Sequence, residues 1–340
     1  HDRIGAMASA KSLISPPLTD YLGAPWQSRI IPVTPSIQAP GADRAVIVHH
    51  ADHLTRSDGG PLPRAALFLP GLGDSFFQTE HAQQWIDAGI EFYGLDMRAQ
   101  GRAAAHLTGG PERIYDHRLR YQEISAAMLW LHELGHEHVT LIGHSTGGLE
   151  AAIYAADHPI NDLEYTDPDV LILNSPWMEM TQPLPVRIAG SLLAAALSRV
   201  APHATISTLS GYYVKWLHED FGGEWSFDPA HKPVDPFPVR AGMLNSVRHM
   251  QARLRSGLHI TQPVLLACST GFGSGTEPHS PDFENTDVIL NPAQMLELAP
   301  QLGEHVTIQE FEGGVHDLAC SREPVRTEYT RAAIAFSLAN

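Results

Sequence analysis

The stretch 139–148, Val-Thr-Leu-Ile-Gly-His-Ser-Thr-Gly-Gly, constrains this chain more than any other. A β-type apolar run ends in G-x-S-x-G, and the Ala-rich run 147–158, closed by Pro159, reads as a helix. A serine in so tight a strand-to-helix turn must project its oxygen above the sheet. Side chains on both flanks would collide there, hence glycine at 143 and 147. The first amides of the next helix point at whatever the serine oxygen attacks. Ser145 is therefore the candidate nucleophile, and the Thr146 N–H a candidate oxyanion donor.

The remainder of the chain supplies the scaffold such a turn needs. Eight β-type runs, 29–33, 44–51, 65–69, 91–96, 139–143, 170–174, 263–268 and 306–311, alternate with helical patterns such as 118–134 and 323–338. That alternation predicts a mostly parallel sheet covered by helices on both faces. Gly135 is a natural stop for the helix over 118–134, and a further helix starts at Asn291-Pro292-Ala293. One segment breaks the pattern: residues 176–261 are far too long for an ordinary crossover. They hold helical stretches over 187–200 and 240–254 and an aromatic-rich middle with Tyr212, Tyr213, Trp216, Phe221, Trp225 and Phe227. The expected organisation is a core over 7–175 and 262–340, a cap over 176–261, and an expression scar over 1–6, before Met7.

Composition narrows the partners. The net charge of −16 argues against nucleic acid, which needs clustered cations, and against anionic lipid. The most apolar long run, 188–201, is too short to span a bilayer and carries Arg199, so no stable membrane insertion is expected. The N-terminus lacks a basic region followed by an apolar run, and the expected location is cytoplasmic. Two cysteines, Cys268 and Cys320, are too few for a disulfide framework and read as reduced thiols. His49, His50, Asp52 and His53 lie on a β-type run whose alternate residues face opposite ways, so they do not read as a metal site. Neither metal nor cofactor is expected.

The partners of Ser145 follow from chain order. The loop after the third strand, Pro70-Gly71-Leu72-Gly73-Asp74, allows close backbone approach, and the Leu72 N–H is the second candidate oxyanion donor. His316 is the only histidine in the loop between the last strand and the last helix, where the general base belongs. The acid should follow the seventh strand, but a long Gly/Ser/Pro-rich loop over 269–285 intervenes. Asp287 is the first choice, with Asp282 inside that loop and Glu179 after the sixth strand as rivals.

With Gly94-Leu95-Asp96-Met97-Arg98-Ala99-Gln100-Gly101, Thr286-Asp287-Val288-Ile289-Leu290 and Gly314-Val315-His316-Asp317, these motifs resemble the α/β-hydrolases of the monoglyceride lipase, lysophospholipase and serine aminopeptidase-like branch. The resemblance implies the α/β-hydrolase fold, the triad Ser145, Asp287 and His316, and oxyanion donors Leu72 and Thr146. Two loops depart from the pattern: Pro70 stands where relatives often carry His, and Arg98-Ala99-Gln100-Gly101 replaces Arg-Gly-x-Gly.

Two activities fit such a triad. One is hydrolysis of acyl or lipid-like carboxylic esters, small-molecule substrates whose acyl pocket would use Trp177, Tyr212, Trp216 and Trp225. The other is an aminopeptidase or amidase, which would need a carboxylate for the substrate amine; Glu219, Asp220 and Glu224 are its candidates. A receptor or pseudoenzyme that keeps the pocket without turnover is a third reading, although nothing in the sequence breaks the triad.

Overall fold

A computed structural model describes residues 14–52, 59–157 and 166–340. Residues 1–7, His53, and the His158-Pro159 end of the Ala-rich run lie outside them.

The runs of β-branched and aromatic residues form one twisted sheet. Its strands are β1 (Leu18–Thr19), β2 (Trp26–Pro32), β3 (Arg44–His50), β4 (Arg64–Leu69), β5 (Glu91–Asp96), β6 (His138–His144) and β7 (Val170–Asn174), followed, after the long inserted segment, by β10 (Val264–Ser269) and β11 (Val306–Phe311). Their spatial order is β1-β2-β3-β5-β4-β6-β7-β10-β11. Pairs from β1 to β5 through β3 are antiparallel, and the rest are parallel. Among the described residues the sheet thus has nine strands where the sequence predicts eight. The additional β1 is two exposed residues on the sheet edge, too short to carry an alternating pattern.

Helices α1 (Thr79–Asp87), α2 (Gly101–Ala104), α3 (Tyr121–Leu134) and α4 (Thr146–Ala156) connect the earlier strands. Gly135 ends α3 in the left-handed region at φ 109°, as its position in the sequence predicts. In the inserted segment come α5 (Leu184–Val200), an antiparallel ribbon of β8 (Thr205–Leu209) with β9 (Phe237–Arg240), the short α6 (Tyr212–Leu217) and α7 (Ala241–Arg255). The ribbon has no counterpart in the sequence expectation. Helix α7 shares the main apolar layer with α3 and α4 through Met243, Val247 and Leu254. Helices α8 (Pro292–Leu298) and α9 (Val325–Ala339) complete the order, and α9 covers the opposite face with α1 through Ile334, Trp85 and Phe92.

The strand order explains where a site can form. From β4 the chain goes to β5 on one side, and from β6 to β7 on the other. The loops after β4 and β6 therefore diverge and open a crevice at their carboxyl ends. The register pairs Leu69 with Gly143, so the Pro70–Asp74 loop and Ser145 lie side by side.

Candidate active site

Ser145 follows β6 directly and holds φ 54°, ψ −116°, a conformation L-residues rarely adopt. Such strain costs on the order of 1–3 kcal/mol and persists only where the surroundings enforce it. Here they do. A Cβ on Gly143 would meet the Gly147 carbonyl oxygen at 2.4 Å, and one on Gly147 would meet the carbonyl oxygens of Leu69 and Pro70 at 2.4 Å. The two glycines let β6, the turn, α4 and the end of β4 close on each other.

His316 lies in the turn after β11. Its Nε2 is 3.0 Å from Ser145 Oγ and its Nδ1 is 2.8 Å from Asp287 Oδ2. All three residues are buried, Asp287 completely. The other carboxylate oxygen of Asp287 accepts the N–H groups of Ile289 and Leu290, each at 2.8 Å, which fixes its rotamer. The long loop before Asp287 folds back on itself: Asp287 N–H donates to Gly271 O at 3.0 Å and Gly273 N–H to Asp287 O at 2.9 Å. Asp287 is distant from β10 in sequence and adjacent to its end in space. Neither rival meets His316. Asp282 accepts the Ser274 N–H at 2.8 Å within the loop, and Glu179 is held by Arg187, Arg248 and Arg255.

Leu72 and Thr146 flank the serine, and no protein acceptor takes the main-chain N–H of either among the described residues. The Leu72 loop is held rigidly from below. Gln100, fully buried, donates through Nε2 to Gly71 O at 2.5 Å and to Pro70 O at 3.3 Å. Because C=O and N–H point opposite ways across one peptide plane, anchoring the Gly71 carbonyl aims the Leu72 N–H away from Gln100. The two loops that depart from the resembled pattern thus touch at Pro70 and Gln100. Glu112 accepts the Gly73 N–H at 3.1 Å, and Asp96 accepts the Phe76 N–H at 2.9 Å. Lys232 joins from the inserted segment, pairing with Asp74 at 2.6 Å.

A second polar cluster braces the His316 turn. Asp317 accepts from Gln78 at 2.7 Å and from Asn174 at 2.8 Å, and its own N–H donates to Tyr213 Oη at 3.0 Å. Burial pushes the Asp317 carboxyl up, but the charge of His144, the Gln78 hydrogen bond and Lys232 outweigh it and hold it at about 2. Burial also lowers the pKa of His144, whose ring lies 4.8 Å from that of His316. Sequence reasoning missed Gln78, Gln100, Glu112, Asn174 and Lys232. Asp317, beside His316, and Gln100 stand in quoted motifs, which left a local signal without a role.

Ser145 and His316 open into a cavity of about 620 Å³ whose walls include Leu72, Val186, Leu193, Ile206, Val239 and Leu290. Of the four aromatic residues expected in an acyl pocket, only Trp177 lines it. Tyr212, Trp216 and Trp225 belong instead to an aromatic cluster with Phe77, Phe227 and Phe283, which meets the cavity through Tyr213 and Val288. The reason is partly polar. The Trp225 indole N–H reaches Cys320 O at 3.2 Å and that of Trp216 reaches Glu284 Oε1 at 3.0 Å, both away from the cavity. Tyr213, one position on, lines the cavity in place of Tyr212.

The amine-receptor candidates are also elsewhere. Glu219 accepts from Ser226, Asp220 is exposed, and Glu224 pairs with Arg322 and Arg326; none lines the cavity. Cys268 and Cys320 are buried and unbridged. His49 is engaged by Arg29 Nε at 3.1 Å and His50 O at 2.8 Å. Among the described residues no group of three His, Cys, Asp or Glu could hold a metal, and no helix is long and apolar enough to cross a membrane.

Residues 62–267, more than half of the chain, match the family model Hydrolase_4, described as serine aminopeptidase, S33. A search of curated proteins finds no match. Among solved structures, a monoacylglycerol lipase of Paleococcus ferrophilus is similar at 20% identity and TM-score 0.56, over 82% of this chain and 96% of that one. A soluble variant of monoglyceride lipase from Saccharomyces cerevisiae, bound to a substrate analogue, is similar at 13% identity and TM-score 0.62, over 91% and 96%. A thermostable carboxyl esterase from Bacillus coagulans is similar at 14% identity and TM-score 0.55, over 96% and 98%. At these identities the likeness establishes the α/β-hydrolase fold.

Proposed function

This chain belongs to the Hydrolase_4 family of serine aminopeptidase S33-type hydrolases, and from that premise we propose that it cleaves carboxylic esters through an acyl-enzyme on Ser145. His316 takes the Ser145 proton as the oxygen attacks the ester carbonyl. Asp287, bound to the other ring nitrogen, holds one tautomer and stabilises the imidazolium that forms. The Leu72 and Thr146 N–H groups receive the oxyanion, and His316 then protonates the leaving alcohol. Water, deprotonated by His316, releases the acid and restores Ser145. The part of the inserted segment around α5 and the β8–β9 ribbon acts as a cap whose apolar residues receive the acyl group.

The observation that carries this reading is the relay Asp287–His316–Ser145, with hydrogen bonds of 2.8 and 3.0 Å, at the wall of a largely apolar cavity. Amide cleavage with recognition of a free amine needs an available carboxylate. The lining carboxylates Asp74 and Asp235 pair with Lys232 and Lys215. An ethyl-ester series from acetate to palmitate, run beside aminoacyl p-nitroanilides, tests the choice. Ester turnover at least a hundredfold faster in kcat/KM supports the proposal; faster release of p-nitroaniline overturns it.

A further inference from the structure

Three guanidinium groups meet one carboxylate beside the cavity. Glu179, buried shortly after β7, accepts from Arg187 at 2.9 Å and from Arg248 at 2.6 Å, and Arg255 closes on it as well. Arg187 stands on α5, and Arg248 and Arg255 on α7. With three cations against one anion, the cluster keeps a formal excess of two positive charges. Arg248 also bonds Gln251 Oε1 at 2.5 Å, which adds no charge, and Arg187 Nε is buried without a partner among the described residues.

The excess lies against the site described above. Arg187 and Arg248 line the same cavity as Ser145 and His316. A short chain of contacts connects them: the Trp177 N–H donates to Ser145 O at 2.9 Å, and Gln251 Nε2 donates to Trp177 O at 3.0 Å. A purely neutral acyl chain would leave guanidinium donors facing apolar atoms, a costly arrangement. A carboxylate would fit the planar fork of donors and balance the charge. One arginine would suffice to clamp Glu179, and a chain with net charge −16 has few cations to spare.

We propose that Arg187 and Arg248 form an anion subsite, so that the preferred substrates are esters carrying a carboxylate remote from the scissile bond. This rests on the reading of Ser145 as the nucleophile of an esterase. A carboxylate can sit on either side of the ester, and two arms separate the cases. In the first, monoethyl adipate, suberate and sebacate are compared with ethyl hexanoate, octanoate and decanoate. In the second, the acetate ester of ω-hydroxyhexanoate is compared with hexyl acetate.

The expected result is a kcat/KM preference of about tenfold or more for the anionic member in one arm, with an optimum spacer length. Arg187→Met and Arg248→Met bring that ratio towards one, while Arg187→Lys keeps part of it. A cluster that only tied α5 to α7 would lower rates on both members alike and leave the ratio in place. Should the methionine variants fail to fold, the wild-type ratio itself serves: it should fall as salt rises from low to high. The proposal is overturned by ratios at or below one in both arms, by a preference that survives both methionine variants, or by one indifferent to salt. Turnover of the neutral esters keeps the two questions apart: it upholds the esterase while the subsite fails, whereas no turnover of any ester removes the esterase itself.

Discussion

Helices α4 and α5 are both built from small and aliphatic residues, yet their surroundings are opposite. In α4, which follows Ser145, ten of eleven residues are buried. In α5, only Ala194 of seventeen is buried, and Leu184, Ile188, Leu192 and Val200 are each more than half exposed. The first helix is wedged between the sheet, α3 and α7, where it holds the strained serine. The second borders the cavity through Val186, Arg187 and Leu193 and displays its remaining surface outward. Ser145 thus precedes a helix buried in the core, whereas Arg187 stands on a helix whose surface is largely exposed.

The contrast can be broken at several places. The sharpest is the acid behind His316. Asp287→Asn should lower kcat on ethyl octanoate by roughly 10⁴-fold, by removing the partner that fixes the imidazole tautomer. Asp282→Asn should stay within a few-fold, so a large loss there would move the acid into the loop. Next comes packing. Leu149→Ala in α4 should cost about 2–5 kcal/mol in urea unfolding, whereas Leu192→Ala in α5 should stay within about 0.5 kcal/mol. Equal costs would mean that α5 is anchored as firmly as α4.

A smaller effect is expected beneath the oxyanion loop. Gln100→Leu keeps the volume but removes the bond to the Gly71 carbonyl, and should reduce kcat by roughly ten- to a hundredfold with KM little changed. Gln100→His, which can still donate, should recover part of the loss. A change confined to KM would show that Gln100 does not act through the Leu72 N–H.

The smallest effect belongs to α4 itself. Burial pushes the Glu150 carboxyl up to about 7 against the pull of Arg120, with the Glu112 charge adding to the rise. Above the unfolded value of 4.5 the folded state holds this proton more tightly than the unfolded chain does. Stability from this group therefore declines as pH rises from 4.5 to about 7 and is level beyond. Glu150→Gln should flatten that slope in denaturant titrations at several pH values; an unchanged slope would assign it to other groups.

The same contrast explains what could be read from sequence. The strands and the turn at Ser145 are local patterns, so their periodicity and flanking glycines are visible one window at a time. His316 was findable because its loop offers a single histidine between the last strand and the last helix. Asp287 needed a non-local event, the return of its loop onto Gly271, which no window contains. Gln100 and Glu112 act on Gly71 and Gly73 from far along the chain; Gln100 stands in a quoted motif that does not state its role, and Glu112 stands in none. The aromatic residues misled because side-chain type does not say which way a helix turns. Tyr213 lines the cavity and Tyr212, its neighbour in the chain, does not.

The central claim is that ester turnover passes through Ser145. Titration with a fluorophosphonate, followed by intact mass and peptide mapping, tests it directly. The account predicts one adduct per chain, on Ser145, with ester hydrolysis lost in proportion to labelling and both absent in Ser145→Ala. Full ester turnover by the labelled protein, or by Ser145→Ala, would contradict it.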